Sequence, residues 1–194
     1  MRYDFQTIAG WIRPHARVLD LGCGNGELLK YLHDTRHVHG YGVEIADERV
    51  LGCIRNGVNV IQRDLEGGLT EFAAHSFDYV VLSQTLQAVH QTEAILREIL
   101  RVGHEGIVTF PNFGYWKNRW QVLRGVMPVS TDIPYQWYDT PNVHLCTMHD
   151  FEQLCVQLGI LIKERVVMTT GQPVRWLPNL TGSLAVYRFA IRAA

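Results

Sequence analysis

The tract Val18-Leu-Asp-Leu-Gly-Cys-Gly-Asn-Gly-Glu27 constrains this chain more than any other. An apolar run, 17–21, leads into Gly22, Gly24 and Gly26 and then into a helix-compatible stretch at 27–33. A strand that turns sharply and continues as a helix is the first half of a strand–helix–strand unit, and such units build parallel sheets with helices on both faces. The pattern continues along the chain. Apolar runs at 41–45, 58–63, 78–83 and 106–110 read as buried strands, and 92–102 reads as an amphipathic helix between two of them. Any ligand site therefore belongs on the loops that follow the strands.

The C-terminal part changes character. Thr147 and Asp150 form a helix-start signal, and the apolar stripe Phe151, Leu154, Cys155, Leu158 follows at helical spacing, with Gly159 as a stop. This predicts a helix over 148–158. Strand-like runs at 160–168 and 183–191 then predict an antiparallel pair at one side of the sheet. The expected architecture is α/β and Rossmann-like, a mostly parallel seven-stranded sheet with an antiparallel C-terminal strand and helices on both faces.

With 194 residues, 47% of them hydrophobic, the chain has enough apolar material for one core without disulfides or metal, so residues 1–194 are expected to form a single domain. A formal charge of -1 offers no general attraction to a phosphate backbone, which argues against nucleic acid. Cys23, Cys53, Cys146 and Cys155 are scattered without a C-x-x-C pair, as free thiols in a reducing compartment are. The start of the chain lacks an apolar signal core and no stretch is apolar enough to span a bilayer, so the expectation is a cytoplasmic protein with no membrane partner. Little chain precedes the first strand, so no large substrate domain is expected there.

The spacing of the glycines bears on the ligand. A dinucleotide fingerprint requires G-x-G-x-x-G, whereas here the third glycine comes one residue early and Glu27 stands where it belongs. Asp20 also places a negative charge where a pyrophosphate would be repelled and the ammonium of an amino-acid-bearing nucleoside attracted. S-adenosylmethionine, or S-adenosylhomocysteine, satisfies both conditions. Glu44 ends the second strand roughly 20 residues after the loop, the usual place of the carboxylate that accepts from ribose hydroxyls. Asp64 ends the third strand and can accept from the adenine amino group, with Ile45 and Leu65 on either side of the ring.

On these residues the sequence resembles class I S-adenosylmethionine-dependent methyltransferases, with Phe77-Asp-Tyr-Val-Val-Leu-Ser-Gln-Thr-Leu86 matching their fourth-strand motif and adding Ser83 to the ligand residues. It is more closely similar to the MetW family of methionine biosynthesis. That likeness extends over nearly the whole chain, through Pro111-Asn-Phe-Gly-Tyr-Trp-Lys-Asn-Arg119, the tract from Pro134 to Cys146, and Asp150-Phe-Glu-Gln-Leu154. The resemblance implies a partner, a MetX-type homoserine O-acyltransferase, which this chain would bind and activate. The alternative it leaves open is methyl transfer to a small metabolite.

Methyl transfer requires an acceptor held in line with the sulfonium, and a base only for some acceptors. Gln84, Gln87 and His90 near the fourth strand, and Asn112, Tyr115 and Trp116 after the fifth, are the candidates to line an acceptor pocket, although His90 reads more simply as a surface histidine. No D/N-P-P-Y/F sequence follows the fourth strand, which argues against amino-group methylation of adenine or cytosine. His144, Cys146 and His149 make no complete metal set, so no metal is expected.

The tract 112–145 is an aromatic-rich insert. If 115–124 is helical, Trp116, Trp120 and Leu123 share one stripe. That stripe either packs on its own domain or forms a partner interface, with Trp137 and Tyr138 as further members. Trp, Tyr and Arg carry binding energy at protein contacts, and the family resemblance favours the interface. Stacking of single-stranded nucleic acid ranks last, because the basic groove it needs is missing.

Overall fold

The structure is a computed structural model and describes residues 2–192. The chain alternates strands and helices: α1 (Asp4–Trp11), β1 (Arg17–Leu21), α2 (Glu27–Arg36), β2 (His39–Glu44), α3 (Asp47–Arg55), β3 (Asn59–Gln62), β4 (Phe77–Ser83), α4 (Thr92–Val102), β5 (Gly103–Pro111), α5 (Trp116–Leu123), α6 (Met148–Gln157), β6 (Ile160–Thr169), β7 (Gln172–Pro173), α7 (Pro178–Thr181) and β8 (Leu184–Ile191). All strands join one sheet in the order β3-β2-β1-β4-β5-β8-β6-β7. β1 to β5 pair in parallel, and β8 runs antiparallel to both β5 and β6.

The strand count is eight rather than seven. β7 is two residues long and folds back on Met168 and Thr169 through Thr170 and Gly171, both at positive φ. So short a strand carries no period-two pattern, which is why the sequence does not announce it.

The near-continuous apolar runs of β1, β4 and β5 are explained by helices on both faces. Alternate residues point to opposite sides. Val18, Tyr79, Val81 and Ile107 pack with Phe5 and Ile8 of α1, with Ile12 just after it, and with Leu28, Leu29 and Leu32 of α2. Leu19, Val80, Leu82 and Val108 pack on the other side with Leu96 and Ile99 of α4 and Met148 and Phe151 of α6. The strand order reverses at β1, since β2 and β3 lie on one side of it and β4 and β5 on the other. Loops leaving β1 and β4 therefore diverge and open a crevice at the carboxyl edge. α6 begins as the sequence predicts: the Thr147 side chain accepts from the Asp150 N–H, and Asp150 accepts in return from the Thr147 N–H.

Candidate ligand site

Gly22, Gly24 and Gly26 all adopt left-handed φ, at 69°, 57° and 78°. A side chain at Gly22 would also put its Cβ 2.7 Å from the Thr85 side chain, so the turn and the β4 loop can lie together only with glycine there. The N–H groups of Gly22 and Cys23 donate to the Val43 carbonyl at 2.8 and 3.1 Å, which ties the loop to β2. Glu44 completes the brace. Its Oε2 accepts the Gly24 N–H at 2.9 Å, and its Oε1 accepts the Ile45 and Ala46 N–H groups at 3.0 and 3.1 Å. A carboxylate has about four lone-pair positions, so one on Oε2 remains for a ligand.

A cavity of about 540 Å3 opens beside this brace. Its size is within the roughly 300–1,000 Å3 usual for small-molecule sites. Of the residues singled out in the sequence, Gly22, Glu44, Ile45, Asp64, Leu65, Gln84, Gln87 and His90 line it. Asp64 caps the single turn of 3-10 helix at Leu65–Gly67, its Oδ1 accepting the Glu66 N–H at 3.0 Å. Two cations also stand on the wall: Arg63, paired with Glu71 at 2.9 Å, and Arg49, 3.9 Å from Glu44. His90 is turned to Glu66, which accepts its N–H at 2.7 Å and lies 3.2 Å from its ring nitrogen.

Asp20 and Ser83, also singled out in the sequence, are not among the residues that line the cavity. Asp20 is buried, and its Oδ1 has no hydrogen-bond partner. Burial pushes its pKa up to about 7; the Arg2 charge opposes this, while Asp4 and Glu44 add to it. Ser83 belongs to a buried polar cluster that sequence reasoning missed. Arg2 grips Asp4 through Nε at 3.2 Å and Nη2 at 2.5 Å, and Nη2 also donates to Ser83 Oγ at 2.6 Å. Ser83 Oγ donates to Asp4 Oδ2 at 3.3 Å and lies 3.3 Å from Thr109 Oγ1. The cluster did have a signal in the sequence: Asp4 occupies the core side of α1 together with Phe5, Ile8 and Ala9. An acid on an apolar stripe calls for a buried partner.

Asn112, Tyr115 and Trp116 are not brought to the cavity wall. Asn112 is fully buried as a latch: its Nδ2 donates to the carbonyls of Asn179 and Gly182, and its Oδ1 accepts from the Gly114 and Met148 N–H groups. Tyr115 is buried at the start of α5.

Other parts of the insert do reach the cavity. Thr131, Asp132, Pro134, Tyr135, Pro141 and Asn142 form its roof. The Val143 and His144 N–H groups fasten that roof to the Gln87 carbonyl at 2.9 and 3.0 Å. The stripe on α5 faces outward. Trp116 is 48% exposed and Trp120 55%, while Asn118 is the one buried residue of the helix. Trp137 and Tyr138, each 71% exposed, stand on the outer side of the roof segment. His144 directs Nε2 to the His90 carbonyl at 3.1 Å, and among the described residues no group of three His, Cys, Asp or Glu is arranged to hold a metal ion. No helix among the described residues is long and apolar enough to cross a membrane.

Solved structures share this architecture. A TehB-like S-adenosylmethionine-dependent methyltransferase from Corynebacterium glutamicum superposes with a TM-score of 0.67 at 14% identity, covering 99% of this chain and 89% of its own. The [4+2]-cyclase SpnF superposes at 0.70 with 16% identity, covering 98% and 81%. The fold is thus that of class I S-adenosylmethionine-dependent methyltransferases, and it is also used by a cyclase. In sequence, the chain is 37% identical over 203 aligned residues to the bifunctional methionine biosynthesis protein MetXA/MetW of Rhodopirellula baltica, covering 97% of this chain and 33% of that protein. It spans about a third of the length of that curated relative. Residues 2–189 match the family described as methionine biosynthesis protein MetW, and the chain belongs to that family.

Proposed function

We propose that this chain binds S-adenosylmethionine or S-adenosylhomocysteine in the 540 Å3 cavity and acts as an activating partner of a MetX-type homoserine O-acyltransferase. The residues fit the nucleoside. Glu44 keeps a lone pair toward ribose, Asp64 faces the cavity from the end of β3, Ile45 and Leu65 supply apolar wall, and the partnerless Asp20 oxygen lacks the cation that an amino-acid ammonium provides. When bound, S-adenosylmethionine supplies an activated methyl group. The protein's own residues here bind and orient, and His90, the histidine on the wall, is engaged by Glu66.

The outward stripe of α5 carries the partner half of the reading. A helix that buries Asn118 and exposes Trp116, Trp120 and Leu123 is inverted relative to one packing on its own core. Exposed tryptophans of this kind serve as anchors at protein contacts. The Rhodopirellula baltica relative, which joins MetXA and MetW in one bifunctional protein, supports an acyltransferase as the occupant.

The test is homoserine acylation by the purified acyltransferase with and without this protein, at zero and saturating S-adenosylmethionine, with S-adenosylhomocysteine quantified in the same tubes. Stimulation without S-adenosylhomocysteine is the expected result. Acceptor-dependent S-adenosylhomocysteine without stimulation would replace the proposal with a small-molecule methyltransferase.

A further inference from the structure

We infer that the outer side of α5 and the turn at 175–177 form one apolar docking surface with a cationic rim, and that it fits an apolar patch bordered by Asp and Glu on the partner acyltransferase. The inference rests on the partner reading above and adds to it a second element and the charge of the face that is recognised.

The two elements leave the sheet side by side. Pro111, where β5 ends, pairs with Leu184, where β8 begins, and the Asn112 N–H donates to the Ser183 carbonyl at 2.8 Å. Just beyond, Asn112 holds the carbonyls of Asn179 and Gly182, and a Cβ on Gly114 would lie 2.7 Å from Asn179 Oδ1. Trp116 follows this contact closely in the chain and Trp176 closely precedes it. Trp176 is 82% exposed, with Leu177 beside it also in solvent. Their turn is closed. The Leu177 carbonyl accepts the Leu180 and Thr181 N–H groups at 2.7 and 2.9 Å, and Thr181 Oγ1 donates to the Trp176 carbonyl at 2.5 Å. Leu177 itself has a left-handed φ of 43°, which a non-glycine residue keeps only where its surroundings enforce it. A large side chain presented on so fixed a turn loses little freedom on binding.

The charge around these side chains is of one sign. No Asp or Glu stands between Glu105 and Asp132, and none follows Glu164, so all 19 acids lie outside the two stretches that build this surface. Lys117, Arg124 and Arg175 are exposed there and form no ion pair among the described residues. Lys117 Nζ stands 5.7 Å from the centroid of the Trp116 ring, so cation and apolar surface interleave. The local field is therefore opposite in sign to the chain's formal charge of -1. It attracts an acidic face and speeds its encounter. Leu123 and Leu177 among the tryptophans suit apolar protein side chains better than nucleic-acid bases, which stack on aromatic rings. A membrane-surface helix keeps its polar side in water, whereas α5 buries Asn118.

Stopped-flow association of this protein with the purified acyltransferase, at about 0.05 and about 0.5 M salt, tests the inference. The native association rate constant should fall about tenfold or more with salt. Arg124→Glu/Arg175→Glu should lower it about tenfold at low salt and flatten the salt dependence, while Trp176→Ala should speed dissociation about tenfold. These side chains are exposed, and unfolding curves check that each variant folds as the native protein does. A rate constant indifferent to salt, or native association in both variants while Trp120→Ala is impaired, overturns the inference and leaves the partner reading standing. Binding of phosphatidylserine vesicles or poly(U) RNA in place of the acyltransferase also overturns it. Failure of the partner reading looks different: the native protein would then not associate with the acyltransferase at either salt concentration.

Discussion

At the residue scale, Asp20 connects ligand, stability and pH. Its folded pKa is raised from 3.8 to about 7, chiefly by burial, so the ligand-free protein holds a proton that the unfolded chain has released. The sign follows from linkage: this contribution to stability is fully present below about pH 3.8 and is lost as pH rises through about 7. Thermal denaturation from about pH 5 to 8 should show that loss in the native protein and a flatter profile in Asp20→Asn. Ligand affinity has the opposite slope, because only the ionised carboxylate attracts an ammonium. The Kd for S-adenosylhomocysteine should fall between about pH 6 and 8 and stay level in Asp20→Asn; a level profile in the native protein would remove Asp20 from the site. Asn112 represents a different kind of buried polar group, every one of whose bonds stays inside the chain. Asn112→Ala should cost about 3 kcal/mol by leaving backbone groups at α5, α6 and α7 unpaired, as read by urea unfolding, with little change in nucleoside affinity.

At the scale of elements, α5 reverses the usual order of inside and outside. Its anchorage is polar: the Asn118 side chain donates to the Asn112 carbonyl at 3.2 Å, and Arg119 Nε donates to the Gly114 carbonyl at 2.6 Å. The apolar stripe contributes little to holding the helix in place. Trp120→Ala should therefore change folding stability by less than about 0.5 kcal/mol. The same substitution should weaken acyltransferase association by about 2 kcal/mol, near thirtyfold, if Trp120 is an anchor. Asn118→Ala should show the reverse balance, with folding stability reduced first. Unfolding curves and surface-binding assays on the two variants separate these effects, and equal association by Trp120→Ala and the native protein would place the partner elsewhere.

At the scale of the whole molecule, the insert has one face in the cavity and the other in solvent. Tyr135 lines the cavity from within the roof, while Trp137 and Tyr138 stand outside two and three residues later. A ligand that moves the roof therefore moves the outer aromatics. If S-adenosylhomocysteine changes the acyltransferase Kd by some factor, the acyltransferase must change the S-adenosylhomocysteine Kd by the same factor. Both titrations should return that common factor, with a value different from one; a value of one in each direction would mean that the two faces of the insert are uncoupled.

The parallel sheet, its glycine turn and two of the acids on the cavity wall, Glu44 and Asp64, were legible in the sequence because they depend on local rules: near-continuous apolar runs in β1, β4 and β5, positive φ at Gly22, Gly24 and Gly26, and acids at or just after the ends of β2 and β3. The capping box of α6 was legible for the same reason. The eighth strand was not, since two residues pair only because a turn delivers them to β6. Nor was the clustering of Arg2 and Asp4 with Ser83 and Thr109, in which Thr109 lies 105 positions from Asp4 in the chain. The stripe on α5 is visible as a pattern, but whether it faces the core or solvent depends on Asn112 and Asn118, whose bonds cross between segments. Helical periodicity shows which residues share a face, and only packing against the rest of the molecule decides where that face points.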